Sequence, residues 1–205
     1  MKLDLTVPTS LNDIPLHQYQ TFIRTFENSE ELTDEYAGLK MLEIFCGLKV
    51  DEALKVKVSD VAKITTKLNE ALSEKPLLIT RFKLGGTEFG FVPQLDELTF
   101  GEFVDIENNI ADWDNMHKAM AVLYRPITER VGKKYVIEEY RGDSWYDAMR
   151  NMPASVAVSA INFFFHLEND LLKVTLPYSR SETTEEVQLE EAKIFTDNGG
   201  GITHS

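Results

Sequence analysis

The stretch LLITRFKLGGTEFGFVP, residues 77–93, alternates apolar and polar side chains on both sides of the Gly85–Gly86 pair. Glycine accepts the positive backbone angles of a two-residue turn, so the two runs are expected to fold back on each other as antiparallel strands. The sequence around them has mostly helical spacing. Antiparallel strands set inside a helical pattern give an α+β chain. We expect a mainly helical single domain over residues 1–178 with small antiparallel β-hairpins and a long apolar C-terminal helix, then an acidic tail over 179–205. A glycine pair also occurs in phosphate loops, but the Lys-Ser/Thr pair and helix start that such a loop needs do not follow Gly86.

Towards the N-terminus, KLDLTV alternates like a half-buried strand, and PTSLNDIP supplies turn and cap chemistry before a helix from Leu16 to Phe26. Leu16, Tyr19, Ile23 and Phe26 form its apolar stripe, with Gln18, Gln20 and Arg24 facing away. Thr33 caps a second helix that carries Leu39, Leu42, Ile44, Phe45 and Cys46 and stops at Gly47. A third starts at Ser59, runs through Val61, Ile64, Leu68 and Leu72, and ends before Pro76.

Between Asp96 and Asp114 the chain carries Glu97, Glu102, Asp105, Glu107 and Asp112 and no basic residue. Thr99 and Glu102 have capping-box spacing, which gives one acid a structural task. The ligand alternation of a calcium loop is missing. In WDNMHKAMAVLYRP, Asp112 is the expected N-cap and Trp113, Met116, Met120 and Leu123 lie on one helical face, with His117 and Tyr124 beside it. Position 121 is Ala, so His117 lacks the second histidine of a zinc helix and reads as a hydrogen-bonded structural residue. If Trp113 is fully buried, its replacement by Ala costs about 3 to 5 kcal/mol, and His117→Ala far less.

RPITERVGKKYVIEEY reads as a second hairpin turning at Gly132 and Lys133, and Asp143 as the cap of a short helix through Trp145 and Met149. From Pro153 the last helix carries two apolar stripes. One holds Val156, Ala160, Phe163, Leu167, Leu171 and Val174, the other Val158, Ile161, Phe165, Leu172 and Leu176. Such a helix is either buried on most sides or waits for a partner. The tail is acidic but retains Val187, Leu189, Ile194 and Phe195.

A formal net charge of −13 repels phosphate backbones and anionic lipid heads. The local pairs Lys55 with Lys57 and Lys133 with Lys134 are too small to override it, so neither nucleic acid nor membrane is an expected partner. A single cysteine, Cys46, allows no internal disulfide and no thiolate zinc cluster; on an apolar helix face it reads as a small core hydrophobe. The apolar run from Ala154 to Phe165 is broken by Ser155, Ser159 and Asn162, too short to span a bilayer, and no export leader is read at the N-terminus.

The segments LTVPTSLNDIPLHQYQTF, FGFVPQLDELTFGEFVDIE, WDNMHKAMAVLYRPI and MPASVAVSAINFFFHLENDLL together resemble a family of small acidic proteins of tailed bacteriophages, with the likeness running from about Leu3 to Leu176 and fading in the tail. In size, acidity and tail placement such proteins resemble the tail assembly chaperones that bind the tape-measure protein during tail construction. The resemblance implies a non-enzymatic assembly protein of the host cell cytoplasm, with a phage tail or tape-measure protein as partner. The alternative is a structural virion subunit of neck, tail or capsid, and either reading allows a homo-oligomer. No catalytic, cofactor-binding or metal residue carries over. The expected partner-binding residues are Phe163, Phe164, Phe165, Leu167, Leu171, Leu172, Val187, Leu189 and Phe195.

Two other classes compete. An enzyme would draw on Asp96, Glu97, Glu102, Asp105 and His117, which must converge in a cleft to do chemistry. A nucleic-acid mimic would need acids along one face at phosphate-like spacing.

Overall fold

The computed structural model describes residues 5–27, 33–132 and 134–166. Residues 1–162 form one compact unit and residues 163–205 a second. The first unit mixes helices with one four-stranded antiparallel sheet, an α+β arrangement.

Helix α1 spans Leu16–Glu27, α2 Asp34–Cys46, α3 Val50–Ala53 and α4 Val58–Leu72. Thr33 caps α2 by accepting from the Tyr36 N–H at 3.3 Å, and Gly47 ends it at φ 66°, in the left-handed region. Helix α4 begins one residue before Ser59, and α3 is a short turn the spacing did not announce. The expected N-terminal strand does not form in its described part, residues 5–7. Its alternation has another cause: Leu5 packs on the cluster of Leu42, Leu48 and Ala53, whereas Val7 packs on the neighbouring cluster of Leu11, Ile14, Met41, Phe45 and Leu68.

Strands β1 (Arg81–Leu84) and β2 (Thr87–Phe91) form the expected hairpin. Leu84 pairs with Thr87, and Gly85 and Gly86 take φ 57° and 85° between them. After α5 (Phe100–Ile110) comes a 3-10 turn at Trp113–Asn115, then α6 (Met116–Leu123), which runs straight into β3 (Tyr124–Val131). Tyr124 thus begins a strand instead of extending the helix face. Strand β4 (Lys134–Ile137) pairs with β3 across the turn containing Gly132, whose φ is 64°; Lys133 lies outside the described residues. The strand order is β1-β2-β3-β4. A register shift between Ile127 and Glu129 bends β3. Tyr135 of β4 then reaches back to β2, donating its hydroxyl to the Phe91 carbonyl at 2.8 Å.

Helix α7 (Tyr146–Met149) follows a 3-10 turn at Gly142–Trp145. Asp143 sits inside that turn, not at its cap, because Gly142 at φ 67° already provides the reversal. Residues 154–162 are helical and close the first unit, with Ala154, Val156, Ala157, Ser159 and Ala160 buried. The start of this helix is tied to the N-terminal segment by a bridge between Pro15 and Pro153 and by bonds from Leu16 N to Met152 O and from Ala154 N to Ile14 O, both 2.8 Å.

Residues 163–166 are also helical and begin the second unit. There the rings of Phe163 and Phe164 meet edge to face at 5.5 Å, and Phe165 is exposed. The expected continuation of the long apolar helix, with Leu167, Leu171, Leu172, Val174 and Leu176, falls outside the described residues. So do Val187, Leu189, Ile194, Phe195 and the expected boundary at 178.

Candidate functional site

The acids between 96 and 114 do not gather in one place. Thr99 and Glu102 form the expected capping box: Glu102 Oε2 accepts from Thr99 N and Oγ1, each at 2.7 Å. Its other oxygen, Oε1, meets Arg125 Nη2 of β3 at 2.8 Å, and both side chains are buried. Arg125 Nε is buried with no hydrogen-bond partner among the described residues. Asp105 accepts a short hydrogen bond from the Tyr140 hydroxyl. Burial, and then that bond, hold the Tyr140 phenol well above its usual range. Glu97 accepts from Gln94 at 3.1 Å, Asp112 caps the 3-10 turn through Asp114 N at 2.9 Å, and Asp114 lies 3.6 Å from Arg24.

His117 is only 2% exposed, on the first turn of α6. Its Nδ1 lies 3.2 Å from Nε2 of Gln20, which also donates to the Trp113 carbonyl at 2.6 Å. Gln20, expected to face solvent, is 4% exposed. It stands one helical turn beyond Leu16 on the same face, and its amide is satisfied by the backbone of the 3-10 turn. Trp113, in contrast, is half-buried, with its ring 5.0 Å from that of Tyr19. Full burial was the condition for its large truncation cost, and that condition is not met.

Burial first, then the positive charges of Arg150 and Lys118, lower the His117 pKa below 6.5. The unfolded chain therefore takes up this proton at higher pH than the folded one. The stability due to neutral His117 is complete above about pH 6.5 and is lost as pH falls from there through the folded value. In urea titrations at about pH 7.5 and about pH 5.5 we expect His117→Gln to lose less stability on acidification than the parent chain. Equal losses in both proteins would show that His117 does not carry this penalty.

Among the described residues no group of three or more His, Cys, Asp and Glu side chains could hold a metal ion. Cys46 is half-buried against the Leu42 cluster, and burial pushes its thiol up. None of the described helices is long and apolar enough to cross a membrane. One cluster invisible in the sequence order is basic: Arg81, Lys83 and Arg130 border a concavity of about 530 Å³ on the sheet, where Arg130 is paired with Glu88.

The most distinctive surface lies between α2, α3 and α4. A concavity of about 410 Å³ opens there, floored by buried Leu42 and Ala53 and walled by Leu39, Val61, Ala62 and Thr65. On its rim Val58 is 86% exposed and Leu54 70% exposed. Asp34 and Glu35, in the first turn of α2, stand at its acidic end. Elsewhere, Phe100 and Phe103 of α5 are exposed three residues apart, on one helix face. Large apolar side chains placed beside an apolar floor are a feature of docking surfaces. Sequence reading missed this groove, although the Leu54-Lys-Val56-Lys-Val58 run, apolar at every second position with no strand to join, was its signal.

Compared with known protein families, curated proteins and solved structures, the chain matches none of them.

Proposed function

We propose that this chain is a non-enzymatic assembly protein of a tailed bacteriophage, a tail assembly chaperone that keeps the apolar helices of a tape-measure protein soluble in the host cytoplasm. The observation that supports this reading best is the rim of the α2–α4 groove, where Val58 and Leu54 stand in solvent beside a buried aliphatic floor. A net charge of −13 complements it, because a strongly anionic surface keeps a complex with an aggregation-prone client dispersed. The class of client is taken from the resemblance read in four segments of the sequence. In this reading Phe163, Phe164, Phe165, Leu167, Leu171 and Leu172, with Val187, Leu189 and Phe195 of the tail, add further client contacts.

Co-expression with the tape-measure protein of the same genome tests it. The tape-measure protein is expected to shift from pellet to supernatant and to copurify with the tagged chain. A tape-measure protein that stays insoluble and unbound overturns the chaperone assignment. Recovery of the chain at fixed stoichiometry in purified virions replaces it with the subunit reading.

A further inference from the structure

We infer that the groove between α2 and α4 takes about two turns of an amphipathic helix from the client, laid with its N-terminal end, bearing lysine or arginine, against Asp34 and Glu35. This inference rests on the interaction reading above and names the partner's chemistry at one surface.

Gly38 keeps the trough between the two helices free of a side chain. A Cβ at Gly38 would lie 3.2 Å from Val61 Cγ1 and 3.7 Å from Thr65 Cγ2, so alanine there needs Val61 to give by a few tenths of an ångström, and a longer side chain would occupy the trough. Its dimensions suit a helix. From Asp34 to Leu42 along α2 the rise is about 12 Å, and from Val58 to Thr65 along α4 about 10 Å, in each case close to two helical turns. An extended segment suits it less, since its backbone N–H and C=O groups need a strand edge to pair with, and helix flanks provide none. A helix satisfies its own backbone and offers only an apolar stripe at i, i+3, i+4 and i+7.

The two ends of the groove differ in charge. Ala53 and Val56 cluster with Leu42, Leu48 and Cys46, which places the α3–α4 connection at the C-terminal half of α2. Asp34 and Glu35 line one end of the groove; at the other, the exposed Lys55 and Lys57 beside Val56 are offset by Asp51 and Glu52 of α3 and Asp60 of α4. A bound helix has its positive dipole end at its N-terminus and its negative end at its C-terminus. The acidic end is complemented when that N-terminus faces Asp34 and Glu35. A basic side chain there strengthens the same preference and speeds encounter with a chain of net charge −13. A second copy of this chain, carrying the same negative charge, is a poorer match.

The test titrates the full-length chain into a labelled synthetic peptide of about 15 residues, with leucines on one stripe and two lysines at its N-terminus, followed by fluorescence anisotropy. Saturable binding is expected. Val58→Asp should weaken it about tenfold or more. Val58 is exposed and opens the first turn of α4, where an acid is favourable, so the variant keeps its fold; an unchanged thermal transition checks this. Asp34→Lys with Glu35→Lys should weaken binding about as much, and restore it for a peptide whose N-terminal lysines are replaced by glutamates. Equal affinity of Val58→Asp and the parent overturns the inference. So does equal affinity for a peptide with its lysines moved to the C-terminus, or sedimentation showing that the groove is closed by self-association that Val58→Asp abolishes. If the tape-measure protein copurifies equally with Val58→Asp and the parent, the groove assignment fails and the chaperone reading stands. If it copurifies with neither while the peptide still binds as described, the chaperone reading fails and the groove assignment stands.

Discussion

Replacing Glu102 with Ala is expected to destabilise the fold by about 3 to 5 kcal/mol, the usual cost of removing one partner from a buried ion pair. Two separate tasks end with this one carboxylate. Its Oε2 accepts from Thr99 N and Oγ1 at the start of α5, and its Oε1 holds Arg125 Nη2 in β3 at 2.8 Å. Without it, a buried guanidinium whose Nε already has no partner among the described residues loses the carboxylate it is paired with. That penalty, more than the lost bond, sets the magnitude. Arg125→Met in the same background should recover part of the loss, because the stranded charge is then gone. Urea titrations of parent, single and double variants check the scheme. A Glu102→Ala variant within about 1 kcal/mol of the parent would mean the pair is solvated in solution.

Gly90→Ala is expected to cost about 1 to 3 kcal/mol, although it adds only a methyl group in the middle of a strand. A Cβ at Gly90 would stand 2.9 Å from Tyr135 Cδ2 and 3.1 Å from Ile127 Cγ1. Neither neighbour gives way easily. The Tyr135 ring is held by its hydroxyl on the Phe91 carbonyl at 2.8 Å, and Ile127 lies beside the register shift of β3. Elsewhere, exchanging a strand glycine for alanine tends to stabilise through the unfolded chain, so the sign of this result is itself diagnostic. Tyr135→Leu combined with Gly90→Ala should cost less than the sum of the two single changes, since the clash is between those two side chains. Additive losses would place the ring away from Gly90.

What the sequence made legible was local. Gly85 and Gly86 carry the turn chemistry of a hairpin, Gly47 that of a helix stop, and Thr99 with Glu102 that of a capping box. Each needs only a few neighbouring residues to specify it. What stayed hidden depended on partners far along the chain. Gln20 meets the Trp113 carbonyl 93 positions away, and its polarity masked a helical spacing that already placed it on the buried face. The second role of Glu102 lies with Arg125 on another element. The N-terminal alternation misled because alternate residues can serve two adjoining core clusters as well as two faces of a sheet. The α2–α4 groove lies where Gly38 faces Val61 across two helices, which no one-dimensional periodicity records.

The clasp joining Ile14 and Leu16 to Met152 and Ala154 has a bearing on synthesis. Its two halves are separated by most of the first unit, so a nascent chain must emerge through residue 154 before that closure can form. At ordinary elongation rates the interval is on the order of ten seconds. During it, Leu11, Ile14 and Leu16, all fully buried in the finished fold, lack part of their cover. The molecule thus passes through its own period of sticky exposure on the ribosome, and slower elongation, which lengthens that period, should favour inclusion bodies more than the equilibrium stability of the mature fold would suggest.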